Sequence, residues 1–179
     1  MNNGKISIRY AKALLSSAKE AKVEENVYSE MITLESAFAQ IDLLKQAMAN
    51  PTLTKEEKIK LIKTIFGNKA SKLTQGFISL VIENGREDYF LRIALSFQEL
   101  YRKDKNIVVT HLTTAIEADE NIKSQIIKSV EQQQENSKVE LRTQVNPEII
   151  GGYILDVDGK RLDASIIRQL SKLYKYAGH

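Results

Sequence analysis

A mainly α-helical protein is predicted, with an N-terminal six-helix bundle over residues 1–106 and a small α+β domain with a β-hairpin over 107–179. Three observations predict it. Apolar residues recur at helical spacing from Ile6 to about Lys105. β-Branched residues then take over at Ile107, Val108, Val109, Thr110, Thr113 and Thr114, a texture that suits a strand. Finally, residues 139–167 pass from an alternating strand through a Gly-Gly pair into a tight turn and a new helix.

Six helical segments are read near 4–21, 25–41, 42–49, 54–66, 70–84 and 87–105, punctuated at Asn50-Pro51, Gly67-Asn68 and Asn84-Gly85. Thr54, with Glu57 three positions on, forms a capping box ahead of Ile59, Leu61, Ile62 and Ile65, and the acidic first turn suits the helix dipole. In the second domain Asp119 caps a helix carrying Ile122, Ile126, Ile127 and Val130, which the polar run Gln132 to Ser137 ends. Val139, Leu141, Thr143 and Val145 share one face of the next strand and Glu140, Arg142 and Gln144 the other, so the apolar face needs a cover. Gly151 and Gly152 permit a bulge or a close backbone approach. Asp158-Gly159 supplies a two-residue hairpin turn, and Asp163 offers an oxygen to the free amides of the last helix. A domain of about 70 residues buries a modest core, so it is either a small stable unit or one that leans on a partner.

The totals exclude several function classes. The chain has 179 residues, 42% of them hydrophobic, which is enough for a packed core. Basic residues number 17 against 13 acidic in 1–106, and 9 against 10 in 107–179. The resulting +4 and −1 are too mild to announce a nucleic-acid binder, and charge alone leaves that question open. With no cysteine, disulfides, thiolate metal sites and cysteine nucleophiles are excluded. Two histidines, His111 in a strand-like run and the terminal His179, make no metal site. The opening MNNGKISIRY reads as neither signal nor transit peptide, and no apolar run approaches the ~20 residues that span a bilayer. A soluble protein is expected, reaching a membrane only through something else.

Two helices carry more apolar surface than one core contact needs. Advancing 100° per residue, the first places Ile6, Tyr10, Ala13, Leu14, Ser17 and Ala21 within about a third of its circumference, and Ile8, Ala11, Leu15 and Ala18 continue the strip to about 220°. The fifth gathers Leu73, Phe77, Ile78, Leu80, Val81 and Ile82 into about 200°, with Asn84 inside that arc. Either both helices are buried on two sides by their own chain, or one strip of each lines a groove for a partner's amphipathic helix.

The residues support no catalytic assignment. Gly67-Asn68-Lys69 lacks the glycine and spacing of a P-loop, and no G-x-G-x-x-G occurs. Glu56-Glu57 and Glu87-Asp88 begin helices, where acids belong on dipole grounds, and Asp156 and Asp158 flank a turn. Lys58, Lys60, Lys63, Lys69 and Lys72 interleave with apolar residues at helical spacing, as an ordinary solvated face does. Without Trp, base-stacking platforms are not evident. No cofactor is called for.

Four ordered motifs carry a resemblance. Ile8-Arg9-Tyr10-Ala11-Lys12-Ala13-Leu14 is similar to an A-R-x-Y-A-x-A-L opening, and Asn50-Pro51 precedes a capped, lysine-containing helix. Phe77 through Ile82-Glu83-Asn84-Gly85-Arg86 matches F-x-x-[LV]-x-E-N-x-R. The C-terminal signature comprises Val145, Asn146, Ile149, Gly151, Gly152 and Tyr153, then Asp163-Ala164-Ser165 and Leu170. With these motifs the whole chain resembles the δ subunit of bacterial F-type ATP synthases, called the oligomycin-sensitivity-conferring protein in mitochondria. It departs at Asn146, where Asp is usual, at Asp156, where a basic or amide residue is usual, and at Ala164, where Gly is usual.

The resemblance implies a non-catalytic peripheral-stalk subunit without metal or cofactor, at the cytoplasmic face of the bacterial plasma membrane and attached to it only through the complex. Its N-terminal domain would bind the N-terminal helices of the α subunits in a groove between the first and fifth helices. Tyr10, Ala13, Leu14 and Ser17 map to one wall of that groove and Phe77, Leu80, Val81 and Asn84 to the other. Its C-terminal domain would bind the b subunits, and no nucleic acid is involved. The alternative is a helical RNA-binding adaptor of the transcription-antitermination kind, which accounts for the mildly basic first half but not for the Gly-Gly hairpin.

Overall fold

The computed structural model describes residues 3–67, 70–133 and 137–177. Asn68 and Lys69 of the expected break and lysine run, residues 134–136 of the polar run, and His179 lie outside the described residues. The protein is mainly helical with a four-stranded sheet in its C-terminal part. It divides into two compact units, Met1–Lys103 and Asp104–His179, against an expected junction after residue 106.

The first unit comprises α1 (Asn3–Glu20), α2 (Glu24–Gln40), α3 (Asp42–Ala49), α4 (Lys55–Phe66), α5 (Lys72–Glu83) and α6 (Phe90–Asp104), whose last residue passes the boundary. Residues Glu87–Tyr89 form a 3-10 turn, so α6 begins three residues later than its expected start. Thr54 caps α4 in a reciprocal box. Its amide donates to Glu57 Oε2 at 2.8 Å, and the Glu57 amide donates to Thr54 Oγ1 at 3.3 Å. α5 ends where Gly85 turns left-handed (φ +62°), with its amide donating to the Ile82 carbonyl at 2.9 Å and that of Arg86 to the Val81 carbonyl at 3.0 Å.

Met31, Leu34, Met48, Ile62, Ile78, Ile82, Phe90, Ile93 and Phe97 are fully buried and draw on α2 through α6. Each contributes about 1.5–3 kcal/mol of transfer free energy, which is what holds helices of 8 to 18 residues that would be marginal alone. Tyr28 and Tyr101 stack with ring centroids 4.3 Å apart, tying α6 to α2.

The second unit is a sheet in the order β2-β1-β3-β4. β1 (Ile107–Thr114) pairs in parallel with β2 (Lys138–Val145), and α7 (Glu120–Gln133) makes the crossover such pairing requires. β3 (Tyr153–Val157) runs antiparallel to β1, β4 (Lys160–Asp163) antiparallel to β3, and α8 (Ile166–Ala177) follows. As the interior strand, β1 buries Thr110, Leu112 and Thr114. α7 starts on an Asp119 cap, which accepts the Ile122 amide at 2.7 Å, and packs on β2. The expected alternation on β2 is incomplete. Val139 and Leu141 are half-buried, but Thr143 and Val145 are exposed at the end of what is an edge strand.

Candidate functional site

The side chains of α1 separate into two strips. Ile6, Ala11, Leu14, Leu15 and Ala18 are buried, whereas Ala13 and Ser17 are exposed and Tyr10 is half-buried. α5 divides likewise, with Ile78, Val81 and Ile82 fully buried and Leu80 49% exposed. Between the outward strips lies an open, largely apolar groove of about 530 Å³. Tyr10, Ala13, Leu14 and Ser17 line one wall, and Leu73, Gly76, Phe77, Leu80 and Asn84 the other. Each wall follows the i, i+3, i+4, i+7 stripe of a helix face, with a small residue at the second position, Ala13 on one side and Gly76 on the other. The Tyr10 and Phe77 rings meet edge to face, centroids 6.3 Å apart, and close the base of the groove.

Of the residues mapped to this groove from the sequence, all but Val81 line it. Val81 is 0% exposed and faces the core, since an apolar arc as wide as that of α5 must serve two surfaces. The sequence mapping left out Leu73, although it lies in the apolar arc of α5, and sequence reasoning missed three more, Arg9, Lys72 and Gly76. Arg9 and Lys72 are charged residues outside any apolar arc, and glycine contributes nothing to periodicity. Arg9 lies over the Tyr10 ring at 5.9 Å.

The α5 wall is held at both ends. The Glu30 carboxylate of α2 accepts the Ser71 amide at 2.5 Å, the Ser71 hydroxyl at 2.9 Å and the Thr74 hydroxyl, placing an anion at the positive end of the helix. At the other end Lys55 Nζ donates to the Glu83 carbonyl at 2.9 Å. Beside it, Lys58 and Glu87 form a buried ion pair at 2.6 Å, so Lys58 is not part of a solvated lysine face as read from the sequence. Lys58 shares the buried face of α4 with Ile62 and Phe66. Burial pushes Glu87 up, but the Lys58 hydrogen bond and charge outweigh it and hold the carboxyl below its usual range.

The C-terminal signature converges on one junction. Asn146 Oδ1 accepts the Glu148 amide at 3.0 Å and starts a 3-10 turn, Pro147–Ile149, whose Ile149 is buried. Val145 and Tyr153 end and begin the flanking strands. A Cβ on Gly152 (φ +73°) would lie 2.3 Å from the Ala164 carbonyl oxygen, and one on Gly151 2.7 Å from Ile166 Cδ1. The glycines therefore serve a close approach to the start of α8. The residue that caps α8 is Ser165, not Asp163. Ser165 Oγ accepts the Arg168 amide at 3.3 Å, while Asp163 Oδ1 stands behind it, accepting the Ser165 hydroxyl at 2.6 Å and amide at 3.0 Å. Those two bonds, with Arg168 and Arg161 nearby, hold Asp163 below the usual carboxylate range. These residues build a joint and present no reactive group.

Among the described residues no cluster of His, Asp or Glu could hold a metal, and no helix is long and apolar enough to cross a membrane. A helical unit with an open apolar groove, joined to a small α+β unit, defines a class of protein that acts by holding other chains. The chain belongs to the ATP synthase delta (OSCP) subunit family, whose model matches residues 6–176. It is 38% identical over 171 residues to an ATP synthase subunit delta of Phocaeicola vulgatus, covering 95% of this chain and 92% of that one. A second, from Bacteroides thetaiotaomicron, is 38% identical over 175 residues and covers 97% and 94%. A third, from Prochlorococcus marinus, is 32% identical over 168 residues and covers 94% and 93%. In fold the chain is similar to a chain of the Toxoplasma gondii mitochondrial ATP synthase hexamer, with TM-score 0.67, 22% identity and coverage of 100% and 98%. The protein is thus a non-catalytic peripheral-stalk subunit of an F-type ATP synthase, associated with the membrane through the complex. That function displaces the RNA-binding alternative.

Proposed function

We propose that the N-terminal unit, as a six-helix bundle, binds the N-terminal amphipathic helix of an α subunit in the groove between α1 and α5. One observation carries this reading: two facing stripes, both at helical spacing, leave apolar surface such as Leu80 open to water. The C-terminal unit, residues 104–179, takes the b subunits. A concavity of about 510 Å³ there, lined by Ile126, Val130, Tyr153, Leu155 and Leu162, supports that assignment. Bridging head and stalk at the cytoplasmic face of the plasma membrane, the subunit keeps the catalytic head from turning with the rotor. Rotation then drives conformational change at catalytic sites on other subunits.

The test is a calorimetric titration of the full chain with a peptide from the N-terminus of the α subunit of the same ATP synthase. Saturable one-to-one binding with a negative heat-capacity change is expected of an apolar helix entering a groove. Absence of binding at tens of micromolar would overturn the groove assignment.

A further inference from the structure

Gly76 has no reason to be glycine within its own unit. It sits in the interior of α5 with no left-handed backbone, and a Cβ there would meet nothing within 4 Å. Glycine is the least favourable residue after proline for a helix interior, and alanine would fit without displacing an atom. The position is exposed and lies in the wall of the groove, facing the wall that carries the exposed Ala13. What the missing side chain preserves is room inside the groove.

The charges beside it are of one sign. Arg9 and Lys72 are the charged residues lining the groove, and among the described residues neither forms an ion pair. Lys72 stands in the first turn of α5, where the helix dipole disfavours a cation, so its own helix gives no account of it.

We propose that Gly76 sets the depth of the groove and that Arg9 and Lys72 set its charge preference. The occupant is an α-subunit amphipathic helix whose backbone passes in close contact over Gly76 and Ala13, with acidic residues flanking its apolar stripe. This rests on the groove reading above and adds the features that select the partner. Small residues let helix backbones approach closely, so a side chain at 76 lifts the incoming helix off both walls at once. Cations at an interface rim act on association rate and salt dependence.

The experiment titrates that α-subunit peptide into the full chain and its Gly76→Ala, Gly76→Leu and Arg9→Glu/Lys72→Glu variants, with thermal unfolding recorded for each. Gly76→Ala is expected to unfold at a higher temperature than the parent while binding about fivefold or more weakly, and Gly76→Leu about 30-fold or more weakly. The charge-reversed variant should lose about tenfold at low salt and recover with a peptide whose acidic residues are changed to lysine. Parent binding with unchanged affinity in both Gly76 variants would overturn the depth assignment while leaving the groove reading intact. Affinity indifferent to salt and charge reversal would overturn the charge assignment. No binding by the parent would overturn both, as would concentration-dependent self-association abolished by Gly76→Leu, which would put a second copy of this chain in the groove.

Discussion

Glu30, in the second helix, holds Ser71, the residue whose hydroxyl oxygen caps the fifth by accepting the Thr74 amide at 3.2 Å. Its carboxylate accepts the Ser71 amide at 2.5 Å across a separation of 41 residues, a remote substitute for the acidic first turn that α5 lacks. Removing it takes the acceptor from the Ser71 amide and from the Ser71 and Thr74 hydroxyls, and takes away a favourable charge–dipole contact. Glu30→Ala is expected to destabilise the first unit by about 2 kcal/mol, whereas Glu25→Ala, exposed on the same helix, should cost less than about 0.5 kcal/mol. Urea midpoints of the two variants check this, and equal shifts would show that the Glu30 contacts are idle.

The Lys58–Glu87 pair predicts a non-additive cycle. Both side chains are largely withdrawn from water, 7% and 17% exposed, and Glu87 Oε2 is buried with no hydrogen-bond partner among the described residues. Lys58→Met strands a carboxylate in an apolar setting and should cost about 3 kcal/mol, while adding Glu87→Leu should recover most of it. Because Glu87 is held below its usual range when folded, its contribution is complete above the unfolded value of about 4.3 and is lost as pH falls through the lower folded one. Denaturant titrations of parent and double variant should therefore converge in acid.

Neighbouring glycines should respond differently. Gly152→Ala meets backbone, the Ala164 carbonyl, in a left-handed conformation, and is expected to destabilise the second unit by about 3 kcal/mol or more. Gly151→Ala meets only the end of the Ile166 side chain, which can change rotamer, and should cost about 1 kcal/mol. Thermal unfolding monitored at Tyr153 separates the two.

The joint before α8 has its own pH dependence. Asp163 is held below the usual carboxylate range first by the Ser165 hydroxyl, so Ser165→Ala should move its titration upward, toward the ordinary carboxylate range, and separately destabilise α8 through the lost cap. In the parent this contribution is present above the unfolded value and lost as pH falls through the folded one. Carboxyl-carbon NMR shifts recorded against pH read both variants.

Ala13→Asp would put an unpaired charge on an exposed groove position. The expected outcome is an unfolding temperature within a few degrees of the parent and loss of α-peptide binding by calorimetry.

Much of this arrangement was legible in the chain because local rules carry it. Thr54 and Glu57 make their box wherever the rest of the molecule lies, and Asp158-Gly159 turns a hairpin by backbone preference alone. The groove was legible as surplus, since Tyr10, Ala13 and Ser17 extend an apolar strip beyond what one core contact needs. What stayed hidden was set by tertiary neighbours. Lys58 reads as a surface lysine until Glu87 arrives from 29 residues away, and Glu30 gives no sign of a helix start 41 residues on. The parallel pairing of β1 with β2 is equally non-local. Val81 was misplaced because periodicity measures the width of an apolar arc and not which part of it meets the core.

The interior position of β1 has a consequence for synthesis. It is the first strand of its unit to leave the ribosome, yet its partners are residues 138–145 and 153–157. One hydrogen-bonding edge stays open until residue 145 has been made and the other until residue 157, a matter of seconds at ordinary translation rates. A nascent chain therefore carries an unpaired strand, and that interval, when a foreign strand could pair with β1, is when the C-terminal half is most exposed to misassembly.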